Sequence, residues 1–177
     1  CQAMADWMTL QETLGNTAHN KKITLAWTYH PKQRGMAVPI SFAEVATRLG
    51  ANVTIACPEP YRLPDEFNKI LESNSHKSGG KFHYSHNLAD AAKGAHVVYA
   101  NSWTTPAFFG REQEEFDERR NLRSWIIDAN VMAKTHDATF LHCLPVRRNV
   151  CATDEVLDSP ASKVLDLAEN RLHVEKA

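Results

Sequence analysis

Short apolar runs alternate with longer amphipathic segments along this chain of 177 residues. The apolar runs are rich in β-branched and aromatic residues and end at Gly, Pro or polar residues, which is typical of buried strands. The predicted strands are 23–29, 52–57, 82–86, 96–100 and 138–142. Apolar residues at helical spacing predict helices at about 3–14, 38–49, 65–76 and 111–122, with a further helix start at Asn87. Such alternation predicts an α/β fold, a doubly wound, Rossmann-like parallel sheet with helices on both faces.

Four segments predict details of this fold. We expect 138–142 to be the central strand of the sheet. The segment 164–174 should begin as another short apolar strand, followed by polar residues and the start of a helix. The loop 101–110 is unusually apolar, so it either forms the lid or wall of a pocket or is tucked against the core by its aromatic residues. The charged residues of 111–122 are expected on a solvated helix face.

The composition is that of an ordinary globular chain, with 43% hydrophobic and 23% charged residues. A formal net charge of −1 argues against nucleic acid or a membrane as partner, since proteins that bind either usually present a basic face. No apolar run approaches the roughly 20 residues of a membrane span, and no secretory signal pattern occurs. The four cysteines lack C-x-x-C pairing, so neither a zinc site nor a disulfide framework is indicated. We therefore expect one cytoplasmic domain with reduced thiols.

Polar side chains suited to ligand binding follow the predicted strand 138–142. They are His142, Cys143, Arg147 and Arg148. Parallel α/β sheets bind their ligands at the carboxyl ends of their strands, which is where these residues would lie. Arg171 is expected in a similar position behind the segment that starts at Val164, and two strand ends that carry arginine indicate an anionic ligand between them. Alternatively, Arg147 and Arg148 are salt-bridged surface residues.

Cys143 admits two interpretations. As a nucleophile it would need a base, but adjacent strand residues point to opposite faces, so His142 is poorly placed for that role. As a structural residue it packs as a small hydrophobe or lines a pocket. Pro145 has no N–H and should hold Leu144 extended, which leaves the carbonyls of Cys143 and Leu144 free to accept hydrogen bonds. Such backbone acceptors suit a ligand with an NH2 group.

Several motifs of the sequence resemble those of the ornithine carbamoyltransferases. His142-Cys-Leu-Pro-Val-Arg-Arg-Asn149 and Glu169-Asn-Arg171 are similar to two motifs of that family, and Cys1-Gln2 is similar to the end of its His-Pro-Cys-Gln motif. A more specific similarity, to the N-acetylornithine carbamoyltransferases and their N-succinylornithine relatives, lies in four segments. These are 27–32, 99–103, 108–110 and 147–150. The resemblance covers essentially all 177 residues.

The resemblance implies that residues 1–177 form the ornithine- or acylornithine-binding domain of a longer, cytoplasmic, homotrimeric enzyme. The family's Ser-x-Arg-Thr-Arg phosphate-binding motif belongs to an N-terminal carbamoyl-phosphate domain and does not occur in this sequence. The isolated chain is therefore expected to be inactive. Two positions depart from the family pattern. Asn101 stands where a lysine commonly holds the substrate carboxylate, and Cys151 stands where acetylornithine enzymes carry a carboxylated lysine that shapes the acyl pocket.

The activity implied by the resemblance is carbamoyl transfer in arginine biosynthesis. Carbamoyl phosphate would react with the δ-amine of N-acetylornithine to give N-acetylcitrulline and phosphate, without a metal or another cofactor. The implied catalytic residues are Cys143 and Arg171. The implied carbamoyl phosphate ligands are Gln2, Cys143, Leu144 and Arg171. The implied acylornithine ligands are Asn101, Leu144, Arg147 and His30.

Alternatives to this activity belong to two classes. The substrate could be N-succinylornithine or free ornithine instead of N-acetylornithine. Outside the enzymes, the chain could be a dinucleotide or amino-acid sensor, or a domain that only binds the amino-acid substrate. The turn after the first strand, 27–35, has no G-x-G-x-x-G, so a dinucleotide could not approach its backbone as such folds require.

Overall fold

Five parallel strands form one sheet in the computed structural model, which describes residues 1–15 and 17–177. The strands are β1 (Lys22–Trp27), β2 (Asn52–Ala56), β3 (Lys81–Ser85), β4 (Val97–Asn101) and β5 (Thr139–Leu141). Their order in the sheet is β3-β2-β1-β4-β5, and all four neighbouring pairs are parallel. The predicted parallel α/β fold is confirmed.

Eight α-helices connect or flank these strands in the described part of the chain. They are α1 (Gln2–Leu14), α2 (Ala37–Arg48), α3 (Asp65–Ser78), α4 (Leu88–Ala92), α5 (Glu112–Arg120), α6 (Ala129–Met132), α7 (Asp154–Leu157) and α8 (Val164–Lys176). The predicted cap of α4 is confirmed, because the Asn87 side chain accepts a hydrogen bond of 3.1 Å from the Asp90 N–H. Over residues 1–15 and 17–177, no helix has both the length and the apolar character needed to cross a membrane.

The helices cover both faces of the sheet, as predicted. One buried cluster combines Leu25 of β1 with Leu10, Phe42 and Leu71 of α1, α2 and α3. A second cluster combines Ala26 of β1 with apolar residues of α4, α6 and α7. Successive side chains of a strand point to opposite faces, so Leu25 and Ala26 belong to different clusters. This double coverage explains why β1, β2 and β4 are buried almost throughout, whereas β3 at the end of the sheet alternates apolar with polar residues.

The predicted central position of the last strand is wrong. β1 is the middle strand, and β5 lies at one end of the sheet order. β5 is buried nevertheless, because the segment before α8 covers its outer side. Phe140 N–H donates to the Ala161 carbonyl at 2.8 Å, and Lys163 N–H donates to the Phe140 carbonyl at 2.9 Å. The apolar character of 138–142 therefore reflects burial and not a central position.

The segment from Val164 is helical throughout, so the predicted strand at its start is wrong. Val164, Leu167 and Asn170 are buried at a spacing of three residues, which is a helical and not a strand period. Asn170 Nδ2 donates to Glu12 Oε2 at 2.6 Å and so fixes α8 against α1. Arg171 consequently lies on an exposed helix face and not behind a strand.

The charged helix α5 is only partly solvated, which corrects the prediction for 111–122. Glu115 and Arg119 are fully buried and form an ion pair of 2.7 Å.

The loop before α5 also has a buried part and an exposed part. Trp103 is fully buried, whereas Phe109 is 58% exposed. The beginning of the loop is thus tucked into the core, and Asn101 and Ser102 also line a cavity.

Candidate functional site

A cavity of about 190 Å³ opens where β1, β4 and β5 end. We call it the cleft. Residues after each of these strands line it, because the carboxyl ends of parallel strands meet at the same edge of a sheet. The lining includes Tyr29, His30, Arg34, Asn101, Ser102, His142, Cys143, Leu144, Arg147 and Cys151. The cleft therefore brings together all the residues predicted to bind acylornithine, and Cys143 with them.

Two arginines share one acceptor at the cleft. A guanidinium nitrogen of Arg34 lies 3.0 Å from His30 Nε2, and Arg147 Nε lies 3.1 Å from the same atom. Since Nε2 accepts from these cations, His30 carries its proton on Nδ1. This atom lies 2.9 Å from the Lys32 carbonyl oxygen and 3.0 Å from the Lys32 nitrogen, and with the proton on it Nδ1 donates to the carbonyl. Burial lowers the pKa of His30, and the charges of Arg34 and Arg147 lower it further. The imidazole is therefore a neutral acceptor between two positive charges.

The backbone after β5 presents free carbonyl oxygens. Within residues 1–15 and 17–177, no hydrogen bond reaches the carbonyl oxygen of Cys143 or Leu144. The predicted extended conformation of Leu144 is wrong, because its φ is 45°, in the left-handed region. His142 Nδ1 accepts from the Leu144 N–H at 3.0 Å, and burial lowers the pKa of His142 to about 4. A neutral imidazole thus holds the turn that exposes these carbonyls.

Cys143 lies beside Asn101 and Tyr99 in the cleft wall. Asn101 Nδ2 is 3.6 Å from Cys143 Sγ, while Asn101 Oδ1 accepts from the Ser102 N–H at 2.7 Å. Burial raises the pKa of the Cys143 thiol, and the nearby carboxyl group of Asp6 raises it further. The His142 ring is engaged with Leu144, so it is not placed to deprotonate the thiol. These contacts favour a neutral thiol that lines the cleft over a nucleophile.

Cys151 forms another part of the cleft wall. Its Sγ lies 2.7 Å from Thr28 Oγ1, and the side chain is buried. Burial raises the pKa of the thiol to about 12, so the wall is uncharged at this position. Asn101 is also neutral, and both positions therefore lack a side-chain charge.

Gln2 and Arg171, the other predicted site residues, form a separate pair outside the cleft lining. Arg171 donates to Gln2 Oε1 at 3.2 Å, and Gln2 Nε2 donates to Asp6 Oδ1 at 2.8 Å. Tyr99 donates its hydroxyl to the same Asp6 oxygen at 3.2 Å and also lies next to Cys143. Burial raises the pKa of Asp6 to about 7. A polar network that runs from exposed Arg171 through Gln2 to buried Asp6 and Tyr99 thus links this pair to the cleft.

Sequence reasoning missed Arg34 and Asp6. Arg34 lies in the loop after β1, and only the folded loop brings its guanidinium group to His30. Asp6 had a detectable signal, because it lies four residues after Gln2 on α1, among the apolar positions. Arg148 was grouped with Arg147 in the sequence, but it pairs with Asp154 and Asp158 outside the cleft. The alternative of a salt-bridged surface residue therefore holds for Arg148 alone.

Comparison with known proteins places this geometry in a family. A family model described as aspartate/ornithine carbamoyltransferase, Asp/Orn binding domain, matches residues 21–177. The N-acetylornithine carbamoyltransferase of Xanthomonas campestris pv. campestris is 45% identical over 179 residues, covering 100% of this chain and 53% of the relative. The anabolic ornithine carbamoyltransferase of Pyrococcus furiosus is 37% identical over 178 residues, with the same two coverages.

Solved structures agree with these relatives. A crystal structure of acetylornithine transcarbamylase complexed with acetylcitrulline has a TM-score of 0.96 at 45% identity and covers 99% of this chain and 53% of that protein. A mutant N-acetyl-L-ornithine transcarbamylase complexed with carbamyl phosphate and N-succinyl-L-norvaline gives the same TM-score and identity. The chain spans about half the length of the curated relatives it matches. It belongs to the aspartate/ornithine carbamoyltransferase family, whose Asp/Orn binding domain it contains.

Proposed function

We propose that residues 1–177 are the acylornithine-binding domain of an N-acetylornithine carbamoyltransferase. A carbamoyl-phosphate domain would complete the enzyme, which we expect to be a cytoplasmic homotrimer that acts in arginine biosynthesis. The observation that carries the proposal is the cleft, where two arginines and two free carbonyls meet in a chain 45% identical to N-acetylornithine carbamoyltransferases. Its ligands would be carbamoyl phosphate and an N-acylornithine.

The reaction forms one C–N bond and breaks one C–O bond. The lone pair of the neutral δ-amine attacks the carbonyl carbon of carbamoyl phosphate, phosphate leaves with the C–O electron pair, and the nitrogen loses a proton. The free carbonyls of Cys143 and Leu144 suit N–H donors, so we assign them to the carbamoyl NH2 and the attacking amine. No covalent enzyme intermediate is needed, which agrees with a neutral Cys143 thiol.

Catalysis of this kind depends mainly on positioning and on stabilising negative charge. We assign Gln2 and Arg171 to carbamoyl phosphate, because the planar Arg171 guanidinium can bind two oxygens and Gln2 orients it through a bond of 3.2 Å. His30, Asn101 and Arg147 would face the acylornithine, since all three line the cleft. The thiol of Cys143 would lie between the two substrates.

A second candidate substrate has specific support. Asn101 and Cys151 leave the cleft wall uncharged at two positions, and ornithine carbamoyltransferases are also similar to this chain. Free ornithine or N-succinylornithine could therefore replace N-acetylornithine. A domain that binds the amino acid without catalysis is the remaining alternative.

Product analysis separates these candidates. The complete enzyme is incubated with carbamoyl phosphate and, in turn, N-acetylornithine, N-succinylornithine and ornithine, and the products are identified by mass spectrometry. We expect N-acetylcitrulline to form with the highest kcat/KM. Citrulline or N-succinylcitrulline as the preferred product would transfer the proposal to that substrate. Binding of an ornithine derivative with no product from any of them would identify a binding protein.

A further inference from the structure

Asp6 is a fully buried carboxyl group on which two donors of the site converge. Its Oδ1 atom accepts from Gln2 Nε2 at 2.8 Å and from the Tyr99 hydroxyl at 3.2 Å. The other oxygen, Oδ2, is buried and has no hydrogen-bond partner within residues 1–15 and 17–177. Burying a carboxyl oxygen without a partner costs free energy, so Asp6 does not stabilise the core as an apolar residue would. The two donors therefore indicate what Asp6 does.

The acceptor at Asp6 determines which end of the Gln2 amide faces Arg171. A glutamine amide has a donor end and an acceptor end. Because Nε2 donates to Asp6, Oε1 is free to accept from the Arg171 guanidinium at 3.2 Å. The reverse orientation would direct the NH2 group at a guanidinium, which has no acceptor. Asp6 thus gives the chain of hydrogen bonds from Arg171 through Gln2 a single polarity.

Arg171 depends on this chain for its position. Its guanidinium is about half exposed, and it also pairs with Glu175 at 2.9 Å, one turn later on the same helix. An exposed pair of this kind holds a side chain weakly. In the described part of the chain, the bond to Gln2 is the only hydrogen bond that fixes the guanidinium to an element other than α8. A guanidinium that is held in place loses less conformational entropy when it binds a ligand.

We propose that Asp6 is a positioning residue for the carbamoyl phosphate end of the site. It fixes the Gln2 amide, and through it the Arg171 guanidinium, in the orientation that meets the anion. This inference rests on the proposed function, which assigns Gln2 and Arg171 to carbamoyl phosphate. Asp6 itself would not touch the substrate, because it is fully buried. The role requires an acceptor and not a charge, since a neutral amide oxygen also accepts two hydrogen bonds.

The effect of Asp6 should be confined to one substrate. His30 and Arg147, which are assigned to the acylornithine, contact each other at 3.1 Å. Among the described residues, neither of them has a hydrogen bond to Asp6. Asp6 reaches the cleft only through Tyr99, which lies next to Cys143. Loss of the acceptor should therefore weaken carbamoyl phosphate binding much more than acylornithine binding.

The test compares Asp6→Leu and Asp6→Asn with the wild type in the complete enzyme. KM for each substrate is measured at saturating concentrations of the other. We expect Asp6→Leu to raise KM for carbamoyl phosphate about tenfold, the scale of one charge-assisted hydrogen bond, and to leave KM for N-acetylornithine unchanged. Asp6→Asn keeps an oxygen acceptor at the same place, so it should retain a KM for carbamoyl phosphate close to that of the wild type.

Thr9→Val is the matched control. Thr9 is another fully buried polar residue of α1, and it accepts from Asn170 Nδ2 of α8 at 3.1 Å, directly beside Arg171 in the sequence. Its replacement should lower stability and leave both KM values unchanged. The same rise in KM for carbamoyl phosphate in Thr9→Val and Asp6→Leu would show that any loosening of α1 against α8 suffices, which would overturn the role of Asp6.

A second variant keeps the test decisive if Asp6→Leu does not fold. In Asp6→Ser the hydroxyl can donate to the carbonyl four residues earlier, as Thr9 donates to the Ala5 carbonyl at 2.9 Å, and the side chain is too short to hold Gln2. It should raise KM for carbamoyl phosphate as Asp6→Leu does. Circular dichroism and urea unfolding identify which variants are folded. A folded Asp6→Leu or Asp6→Ser with the KM of the wild type would overturn the proposal.

A double-mutant cycle tests whether Asp6 acts through Gln2. Gln2→Met removes both ends of the amide, so Asp6→Leu should raise KM for carbamoyl phosphate no further in that background. Additive effects of the two substitutions would contradict the proposed route. Failure of the proposed function looks different, since the wild type would then form no citrulline derivative. Calorimetric titration of the wild type, Asp6→Leu and Asp6→Asn with carbamoyl phosphate would still decide the role of Asp6 in that case.

Discussion

Asp6 lies fully buried in α1, where it accepts hydrogen bonds from Gln2 and Tyr99. Burial raises the pKa of its carboxyl group from 3.8 to about 7, although these hydrogen bonds and the charge of Arg171 partly oppose the rise. Between these two values the folded protein keeps a proton that the unfolded chain has released. The free energy of unfolding therefore falls as the pH rises through this window, by at most ~1.4 kcal/mol per pH unit for one proton.

Replacing Asp6 with Asn should remove this contribution. His142 acts in the opposite direction, since burial lowers its pKa to about 4 and its contribution to stability rises with pH over the same window. His142 is present in both proteins, so its effect cancels in their difference. The free energy of unfolding is measured by urea titration for both proteins at pH 5 and pH 8. The value for Asp6→Asn minus the value for the wild type should be higher at pH 8 than at pH 5 by more than about 1 kcal/mol. Parallel pH dependences would mean that Asp6 titrates normally.

At the level of secondary structure, α5 joins the loops that build the cleft. Arg119 donates to the carbonyls of His30 and Trp103 at 3.1 and 2.8 Å, and to Ser102 Oγ at 3.0 Å. Its partner Glu115 accepts from Thr104 Oγ1 at 2.8 Å. One buried ion pair thus satisfies acceptors and donors from the loops after β1 and β4. These loops contain His30 and Ser102, which line the cleft, so we expect α5 to support both stability and binding.

Arg119→Met should therefore lower the free energy of unfolding by about 3–5 kcal/mol, because it leaves the Glu115 carboxylate buried without its partner. Arg120→Met is the matched control on the same helix. Arg120 is exposed and 3.9 Å from Asp117, so its loss should change stability by at most about 0.5 kcal/mol. The double variant Glu115→Gln with Arg119→Met should be more stable than the sum of the single effects implies. Similar urea midpoints for Arg119→Met and Arg120→Met would contradict a structural role for the pair.

The elements also show what the sequence could and could not predict. Strands such as β1 and β2 were predictable, because burial on both faces selects continuous apolar runs. The start of α8 was not predictable, because an apolar run of a few residues fits either a strand or a helix. Only the packing of this segment against α1 determines that it is helical. Glu115 and Arg119 belong to a run of charges that normally faces solvent. Their burial depends on backbone acceptors that distant loops supply.

The same limit applies to the site. The location of Cys143, Leu144 and Arg147 at the cleft was predictable, because the segment that contains them follows a strand. Arg34 was not, because its role depends on how the loop after β1 folds back onto His30. No local pattern of residues encodes that approach, which is a property of tertiary structure. Position along the chain therefore predicted the edge of the sheet at which the cleft lies better than it predicted the complete set of residues that line the cleft.

At the scale of the whole molecule, the residues that line the cleft offer more groups for binding than the Gln2–Arg171 pair outside it. The cleft contains arginines and free carbonyls, which suit the proposed amino-acid substrate. The phosphate group of carbamoyl phosphate would meet only Gln2 and Arg171, since the Cys143 and Leu144 carbonyls are assigned to N–H donors. Arg171 also pairs with Glu175 at 2.9 Å. A phosphate group with several charged oxygens needs more donors than these two side chains provide. This imbalance supports the proposal that another domain supplies most of the phosphate site.

The isolated chain should therefore bind N-acetylornithine weakly and form no N-acetylcitrulline. An enzyme that holds two reactants at attack distance gives them an effective concentration of about 10⁵ M or more, and this advantage is lost when one reactant is not bound.

Asn101→Lys should tighten N-acetylornithine binding to the isolated chain about tenfold, because it adds a positive charge near the substrate carboxylate. Asn121→Lys is the control. It adds the same charge at an exposed position at the end of α5 and should leave the affinity unchanged. Calorimetric titration of the three proteins, followed by mass spectrometry after addition of carbamoyl phosphate, checks both expectations. N-acetylcitrulline formed by the isolated chain would show that it contains a complete active site, and equal affinities of the two lysine variants would remove Asn101 from the carboxylate's surroundings.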